Sequence, residues 1–373
     1  MSRLVKACVE AMRNEIVLCI AVLLAVASAF IVPPSAAYMA YIDWDTLALL
    51  FGLMAVMKGF QQIGVFARLS NKLLERVSTT RGMTLALVFL PFFLSMVVTN
   101  DVSLITFVPF ALVVLRMAGR ERLVVPVVVL QTIAANLGSM LTPMGNPQNL
   151  YLYASSGMNV MELIALTLPY VAVAGVVLAA VIAVLLRHPN SVRGVSVEMS
   201  SGNPKALWCC IAGFALCMLG IFGLVPPIAI AVVIAAVLLV ANRRVLASVD
   251  YALLATFVAF FVFIGNVGSI GPFRDALEAA LDGRVEIVSV LASQIVSNVP
   301  AALLLSGFTD DWPGLIIGCN IGGLGTLIAS MASLISYKLV AREYPDRRGR
   351  YLLWFTVANV AMLVLLLALS AML

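Results

Sequence analysis

The sequence predicts an all-α polytopic membrane protein with about nine crossings and two re-entrant helical hairpins. We expect two inverted-topology repeats whose helices break at the bilayer midplane. The evidence is the composition, the length of the apolar runs and an internal repeat. Of 373 residues, 63% are hydrophobic and 11% are charged, whereas soluble domains carry about 25% charged residues. Long apolar runs recur from Glu15 to the C-terminus, as expected of a chain whose solvent is mostly lipid.

Each crossing requires about 20 apolar residues. The predicted crossings are 14–33, 45–66, 122–156, 159–187, 206–224, 226–241, 248–267, 313–341 and 350–372. Two further apolar regions, 82–118 and 285–308, are interrupted in the middle. The arms of 285–308 are only about a dozen residues long, which suits a re-entrant hairpin better than two spans. By analogy, we predict a hairpin at 82–118 as well.

The distribution of Lys and Arg predicts the orientation. With the N-terminus in the cytoplasm, all but three of the 23 basic residues lie on the cytoplasmic side. Arg274 and Arg284 then lie outside, where acidic residues collect, and Lys58 stays within the membrane. The first apolar run resembles a signal peptide, but its length and the many spans that follow favour a retained crossing. The prediction is a multi-pass protein of the cell (inner) membrane.

Three groups of residues recur in the same order along the chain. Residues 42–44 and 63–66 match 249–251 and 270–273 at an offset of 207, 98–100 match 296–298 at 198, and 136–138 with Thr142 and Tyr153 match 320–322 with Thr326 and Tyr337 at 184. The span 206–224 has no counterpart, so the second repeat starts from the opposite face. Such inverted repeats are typical of secondary transporters with midplane sites.

The repeat divides the chain into three predicted units. The first repeat is 1–187, with the hairpin 82–118 and the broken helix 122–156. Residues 188–225 form a cytoplasmic loop and a linking span. The second repeat is 226–373, with the hairpin 285–308 and the broken helix 313–341.

Four helix breaks fall at membrane depth. Two are the hairpin tips Thr99-Asn100-Asp101 and Ser297-Asn298-Val299. The other two interrupt crossings, at 142–149 and at 322–326 running to Ser330 and Ser333. Gly, Pro and Asn also occur in simple kinks, and an Asn can merely bond a neighbouring helix. However, a broken helix in lipid is unfavourable unless it lines a cavity, since backbone groups must be satisfied internally. Four breaks at repeat-related positions therefore favour a binding site.

We expect the polar groups of these breaks to bind substrate and ion. The candidates are Thr99, Asn100, Asp101, Thr142, Gly145, Asn146, Gln148, Asn149, Ser297, Asn298, Asn320, Gly322, Gly325 and Thr326. Helix N-termini after the breaks can hold an anion without an arginine. Unwound carbonyls and neutral side-chain oxygens suit Na⁺, which is predicted at Thr99, Asn100, Asn146, Ser297 and Asn298. No other cofactor is expected.

Asp101 and Lys58 are the only charged residues well inside the predicted spans or tips. A buried charge costs several kcal/mol and requires a partner or a function. One hypothesis is that Asp101 carries or gates the coupling ion, with Lys58 as counter-charge or substrate contact. The alternative is a structural ion pair, or a Lys58 that snorkels to the cytoplasmic face.

Other classes of function lack support in the sequence. The basic residues form short clusters between apolar spans, without interleaved aromatics, which argues against nucleic-acid binding. The six cysteines lack zinc-ligand spacing, and the one histidine, His188, has no partner. No Ser/His/Asp set, GxSxG or HExxH motif is present, so we do not expect an enzyme.

Three motifs resemble those of the ion transporter superfamily. They are Thr99-Asn100-Asp101-Val102, the run from Leu141 to Asn149, and Ser297-Asn298-Val299-Pro300. The chain is most similar to the arsenite permease and NhaD-type antiporter group, and within it to YbiR-like anion permeases with a citrate-transporter-like domain. The resemblance covers essentially the whole chain. Its motifs are specific for the superfamily but not for a substrate.

The resemblance implies an elevator-type carrier with a scaffold and a mobile transport part, often a homodimer. Carried over, its site comprises Thr99, Asn100, Asp101, Asn146, Ser297 and Asn298, with the backbone of 322–326. The dicarboxylate branch has Ser-Asn-Thr tips that bind Na⁺ and carboxylates. Here the tips read Thr-Asn-Asp and Ser-Asn-Val, which argues against a symmetric two-Na⁺ dicarboxylate site. An acid at the first tip fits the arsenite and Na⁺/H⁺ antiporter branches better.

The expected function is secondary active transport of a small anion across the bilayer, coupled to H⁺ or Na⁺. The anion is a carboxylate such as citrate, or an arsenite-type oxyanion. Within the same class, the alternative is a Na⁺/H⁺ antiporter. A passive ion channel is the alternative from another class, although short broken helices at a closed midplane favour a carrier.

Overall fold

The computed structural model describes residues 16–75, 77–188, 190–191 and 204–373. This part of the chain is almost entirely helical, and its one β contact is an isolated bridge between Thr79 and Ser191. The predicted all-α class is therefore confirmed. Part of the argument for a cytoplasmic N-terminus depends on basic residues outside the described ranges. They are Arg3, Lys6, Arg13, Arg76 and Arg193.

The predicted crossings and hairpins correspond to helices. Up to the linking loop these are α1 (Ile16–Ala29), α2 (Ala37–Tyr41), α3 (Trp44–Ile63), α4 (Val65–Leu74), α5 (Thr80–Leu94), α6 (Asn100–Met117), α7 (Val124–Ser139), α8 (Pro147–Ser156) and α9 (Val160–Leu185). Short 3₁₀ turns at Glu121–Leu123 and Pro143–Gly145 precede α7 and α8.

The remaining helices follow the linking loop. They are α10 (Pro204–Ile221), α11 (Pro227–Ala241), α12 (Arg243–Ala247), α13 (Tyr251–Gly268), α14 (Gly271–Leu281), α15 (Val285–Val296), α16 (Asn298–Ser306), α17 (Trp312–Ile321), α18 (Met331–Glu343) and α19 (Arg348–Ser370). A 3₁₀ turn at Pro345–Arg347 joins α18 to α19.

Within the described residues, seven helical segments are long and apolar enough to cross a membrane. They are Trp44–Ile63, Asn100–Met117, Glu121–Ser139, Val160–Leu185, Pro204–Ile221, Tyr251–Gly268 and Pro345–Ser370. Five further apolar helices are shorter, as expected for hairpin arms, half-helices and short crossings. The chain is therefore a polytopic membrane protein. One arm of the first predicted hairpin, α6, has 18 residues and is itself long enough to cross.

An aspartate caps the N-terminus of each of two helices at matching positions in the repeat. Asp43 accepts a hydrogen bond from the backbone N–H of Thr46 at 3.0 Å and so caps α3. Asp250, 207 positions later, caps α13 by accepting one from the N–H of Leu253 at 2.9 Å. Each side chain satisfies an N–H that the first helical turn leaves free. At the other end of α3, Gly64 lies at φ 73°, where a side chain would be strained.

The buried side chains form separate cores. One core joins α5, α6, α7 and α9 to α15 and α17–α19, with Leu74 of α4. A second core joins α1, α3, α10, α11 and α13, and it also contains Leu150 of α8 and Val299 and Leu303 of α16. A third joins α8, α9, α13 and α14 to the second hairpin, α15–α16, and to α17. A fourth, smaller core joins α3 and α4 to α5 and α6. The four breaks all belong to the helices outside the α1/α3/α10/α11/α13 group.

Candidate substrate-binding site

The first hairpin turns between α5 and α6. The turn has Thr99 as the N-cap of α6, and Asn100 is only 4% exposed. The Asn100 Oδ1 accepts a hydrogen bond from the N–H of Asp101 at 2.9 Å, while its Nδ2 donates to the Oδ1 of Asn136 at 3.0 Å. Asn136 lies on α7, so the predicted tip contacts the first broken crossing.

The first broken crossing unwinds between α7 and α8. Asn146 caps α8 by accepting a hydrogen bond from the N–H of Asn149 at 2.8 Å, and Pro147 occupies the first helical position. Such a start is favourable because proline has no N–H to leave unpaired there. The Nδ2 of Asn149 donates to the carbonyls of Met140 at 3.0 Å and Thr142 at 3.3 Å. The amide thus provides hydrogen-bond donors to two backbone carbonyls in the unwound segment that follows α7.

Two further contacts fix this break. The hydroxyl of Thr142 donates to the carbonyl of Met96, which ties the break to the first hairpin. A Cβ on Gly145 would lie 2.0 Å from the carbonyl oxygen of Ser139. Position 145 therefore admits only glycine without a backbone shift. Gln148, another predicted site residue, is buried in the first turn of α8.

The second hairpin turns at Ser297, the only described non-glycine residue with positive φ, at 77°. The N–H of Asn298 donates to the carbonyl of Ala329 at 2.9 Å, and the Ser297 hydroxyl donates to the same carbonyl at 3.4 Å. The Asn298 Oδ1 accepts from the N–H of Val299 at 3.0 Å, as Asn100 does with its own neighbour. The second tip therefore faces the second broken crossing.

The second broken crossing unwinds between α17 and α18, and Gln294 of α15 holds it. The Gln294 Nε2 donates to the carbonyls of Gly322 at 2.8 Å and Leu324 at 3.0 Å. Its Oε1 accepts from the N–H of Thr326 at 2.9 Å. Gly325, at φ 100°, lies against this amide, where a Cβ would come within 2.4 Å of Oε1.

The two broken crossings also contact each other. Asn320 on α17 accepts from the Nδ2 of Asn146 at 3.1 Å and donates to the Oδ1 of Asn149 at 2.5 Å. Asn136 on α7 accepts from the hydroxyl of Ser330 at 3.1 Å and donates to the hydroxyl of Ser333 at 3.4 Å. The predicted residues Asn100, Asn146, Asn149 and Asn320 therefore lie with Asn136 in one polar centre inside the protein, whereas Thr326 is exposed.

The charged residues near the tips make fewer direct contacts than the amides do. No ion pair among the described residues joins Lys58 to Asp101. Both side chains are half-buried. Asp250, the N-cap of α13, lines a cavity of about 20 Å³ beside Val299 and Pro300 of the second tip. One acid therefore lies at each tip, and among the described residues neither forms a salt bridge with Lys58.

The arrangement favours binding by neutral oxygens and amide groups. In the described ranges, no three His, Cys, Asp or Glu side chains lie close enough together to hold a metal ion. A cation at the tips would be held by amide, hydroxyl and carbonyl oxygens, as in Na⁺-coupled transporters. The polar residues that our sequence prediction did not assign to the site are Asn136, Ser139 and Gln294, whereas Ser330 and Ser333 lie in the second predicted break. The match between Asn136 and Asn320 in the repeat is the signal that identifies the first of them.

Comparisons with known proteins find relatives among membrane transporters. The model of the citrate transporter family matches residues 5–309. An uncharacterized transporter of Methanocaldococcus jannaschii is 32% identical over 328 residues, 88% of this chain and 89% of the relative. The inner membrane protein YbiR of Escherichia coli is 29% identical over 364 residues, 92% and 94% of the two chains. A Dictyostelium discoideum transporter named arsB is 27% identical over 118 residues, 32% of this chain and 21% of that protein.

Proposed function

Because the chain belongs to the citrate transporter family, we propose that it is a secondary active transporter that moves a small anion, coupled to H⁺ or Na⁺. The resemblance drawn from the three motifs is confirmed at the level of the family. Membership establishes a membrane transporter rather than an enzyme. The substrate, the coupling ion and the mechanism are the proposal.

The observation that carries the proposal is the meeting of two broken helices and two hairpin tips in one buried polar centre. Broken helices are stable at membrane depth only where protein or a cavity satisfies their backbone groups. Here the partners are amides and hydroxyls such as Asn136 and Asn320. Four helices, α6, α8, α16 and α18, begin at these breaks. Their N-termini carry partial positive charge, which favours a carboxylate or oxyanion at the centre.

Asp101 is the proposed coupling residue. It lies half-buried in the first turn of α6, next to Asn100. A carboxylate in this position is stabilised by H⁺ or by Na⁺, so release of the ion would be linked to movement of the site. The Na⁺ ligands we propose are the oxygens of Thr99, Asn100, Asn146, Ser297 and Asn298.

We further propose an elevator mechanism based on the inverted repeats 1–187 and 226–373, with 188–225 as the linker. The grouping of α1, α3, α10, α11 and α13 in one core supports this division, and these helices would form the scaffold. The transport part would carry the four breaks and would contact the scaffold through Leu150 of α8, through Val299 and Leu303 of α16, and through the core between α3 and α5–α6. The proposed setting is the cell (inner) membrane, with a cytoplasmic N-terminus and a homodimeric assembly.

Na⁺/H⁺ exchange is a second candidate function, and a specific observation favours it. Asp101 lies at the first tip and Asp250 lies beside the second, while Lys58 is the one basic residue placed within the predicted spans. An excess of carboxylates attracts cations and repels an anion that is not accompanied by one. In that case Na⁺ and H⁺ would be the only solutes moved.

Flux measurements in proteoliposomes test both candidates. We expect saturable uptake of radiolabelled citrate or arsenite that is accelerated by an inward Na⁺ or H⁺ gradient. Asp101→Asn should remove the dependence on the gradient, whereas Glu278→Gln, at an exposed acid on α14, should keep it. Movement of ²²Na⁺ against H⁺ without any anion would favour exchange. Single-channel currents, or flux indifferent to both gradients, would refute coupled transport.

A further inference from the structure

Two asparagines occupy matching positions near the ends of the first arms of the two broken helices. Asn136 lies on α7 and Asn320 lies on α17, 184 positions later. Neither side chain caps the helix that starts after the break in its own half. Each contacts the start of the second arm in the other half of the chain.

The two sets of contacts are crossed and related by position. Asn320 contacts Asn146 and Asn149, which are the N-cap and the third residue of α8. Adding the same offset of 184 to these positions gives Ser330 and Ser333, the N-cap and the third residue of α18. These are the two residues that Asn136 contacts.

These residues lie deep inside the protein. The most exposed of them is Asn136, at 4%, and Asn149 and Ser333 are fully buried. A buried amide that loses its partner keeps the full desolvation penalty, since neither water nor lipid replaces the hydrogen bond. Moving one broken helix relative to the other would therefore leave several amides and hydroxyls unpaired at once.

We propose that Asn136 and Asn320 are positioning residues that tie the two broken helices together, so that both half-sites move as one body. The proposal rests on the transport function proposed above. Asn136 also accepts the hydrogen bond from Asn100, so the first hairpin tip belongs to the same body. The second tip is tied instead through the backbone, from the N–H of Asn298 to the carbonyl of Ala329.

A double-mutant cycle between Asn320 of the second half and Asn149 of the first tests whether their hydrogen bonds hold the two broken helices together. Asn320→Ala and Asn149→Ala should each raise the KM for the transported anion about tenfold, because buried hydrogen bonds that orient the site are lost. The KM of the double variant should rise by clearly less than the product of the two single effects, because both single changes break the same Asn320–Asn149 bond, while each also removes contacts of its own. A merely structural defect would lower the active fraction and hence kcat, with KM unchanged.

Two further variants sharpen the cycle. Asn149→Ser copies the serine found at the matching position 333. Its hydroxyl can accept from Asn320 but cannot also donate to the carbonyls of both Met140 and Thr142, so it should raise KM less than Asn149→Ala does. Asn359 is a matched control, because it is fully buried and its Nδ2 donates to Phe355 of its own helix at 2.9 Å. Asn359→Ala should leave KM unchanged and should add independently to the effect of Asn149→Ala.

Thermal unfolding of the purified variants gives a second measurement of the same cycle and requires no substrate. Non-additive losses for Asn320→Ala and Asn149→Ala support the tie, and additive losses in unfolding overturn it. Additive rises in KM, about a hundredfold for the double variant, would also overturn it. If the unaltered protein moves neither citrate, arsenite nor Na⁺, the proposed function fails. The unfolding cycle then decides whether the tie exists.

Discussion

Gln294 gives the sharpest prediction about the second broken crossing. One side-chain amide satisfies three backbone groups there: the carbonyls of Gly322 and Leu324 and the N–H of Thr326. The residues that carry the two carbonyls are buried, whereas Thr326 is exposed. Removing the amide therefore leaves two buried carbonyls without these partners, while water can replace the bond to the third group.

The size of the effect follows from these contacts. Each net hydrogen bond contributes about 1 kcal/mol, and a buried group left unpaired costs about 1–3 kcal/mol. Gln294→Ala should therefore destabilise the unwound segment by about 3 kcal/mol. If the held conformation is the one that binds substrate, kcat/KM falls about a hundredfold, since 1.4 kcal/mol corresponds to a factor of ten. Gln294→Glu should be at least as damaging, because it places an oxygen opposite two carbonyls.

The assay is uptake into proteoliposomes together with thermal unfolding of the same preparations. Gln61 provides a control, because its amide makes only a long bond, 3.4 Å, to the hydroxyl of Thr106. Gln61→Ala should change kcat/KM less than twofold. Uptake by Gln294→Ala within twofold of the unaltered protein, with an unchanged unfolding temperature, would refute the role we assign to the amide.

Three further outcomes are expected. Gly145→Ala should abolish transport and lower the unfolding free energy by about 3 kcal/mol, measured by uptake and denaturation, because the new Cβ would lie 2.0 Å from the Ser139 carbonyl. Val299→Thr, which adds a hydroxyl at the buried second tip, should strengthen the Na⁺ dependence of uptake. Arg116→Ala breaks a half-exposed ion pair with Glu343 and should barely shift the unfolding temperature, with no shift at high salt.

Local signals in the sequence predict much of this fold. Pro147 after Asn146, the glycines at 322, 323 and 325, and the Asn-bearing tips mark the breaks where the structure has them. These signals act within a few residues, through missing N–H groups, positive φ and side-chain caps. Apolar length predicts which helices are long enough to span, since the bilayer sets the requirement.

The sequence does not predict the partners across the protein. Gln294 appears in it as one polar residue in an apolar arm, and nothing local indicates that it contacts three backbone groups 28 to 32 positions away. Asn136 resembles an ordinary polar residue in a crossing until its match with Asn320 is considered. The placement of Lys58 and Asp101 within apolar segments shows that each requires an explanation. It does not show whether they form an ion pair.

The choice of amides over charges at the centre has a consequence for transport. A site built from buried arginines or several carboxylates would carry a large desolvation penalty whenever its ligand leaves. Here the buried partners are asparagines and serines that satisfy one another and the broken backbone. Under the proposed mechanism, ion coupling would depend on the one carboxylate of Asp101, and the hydrogen bonds among the amides would not have to break during transport.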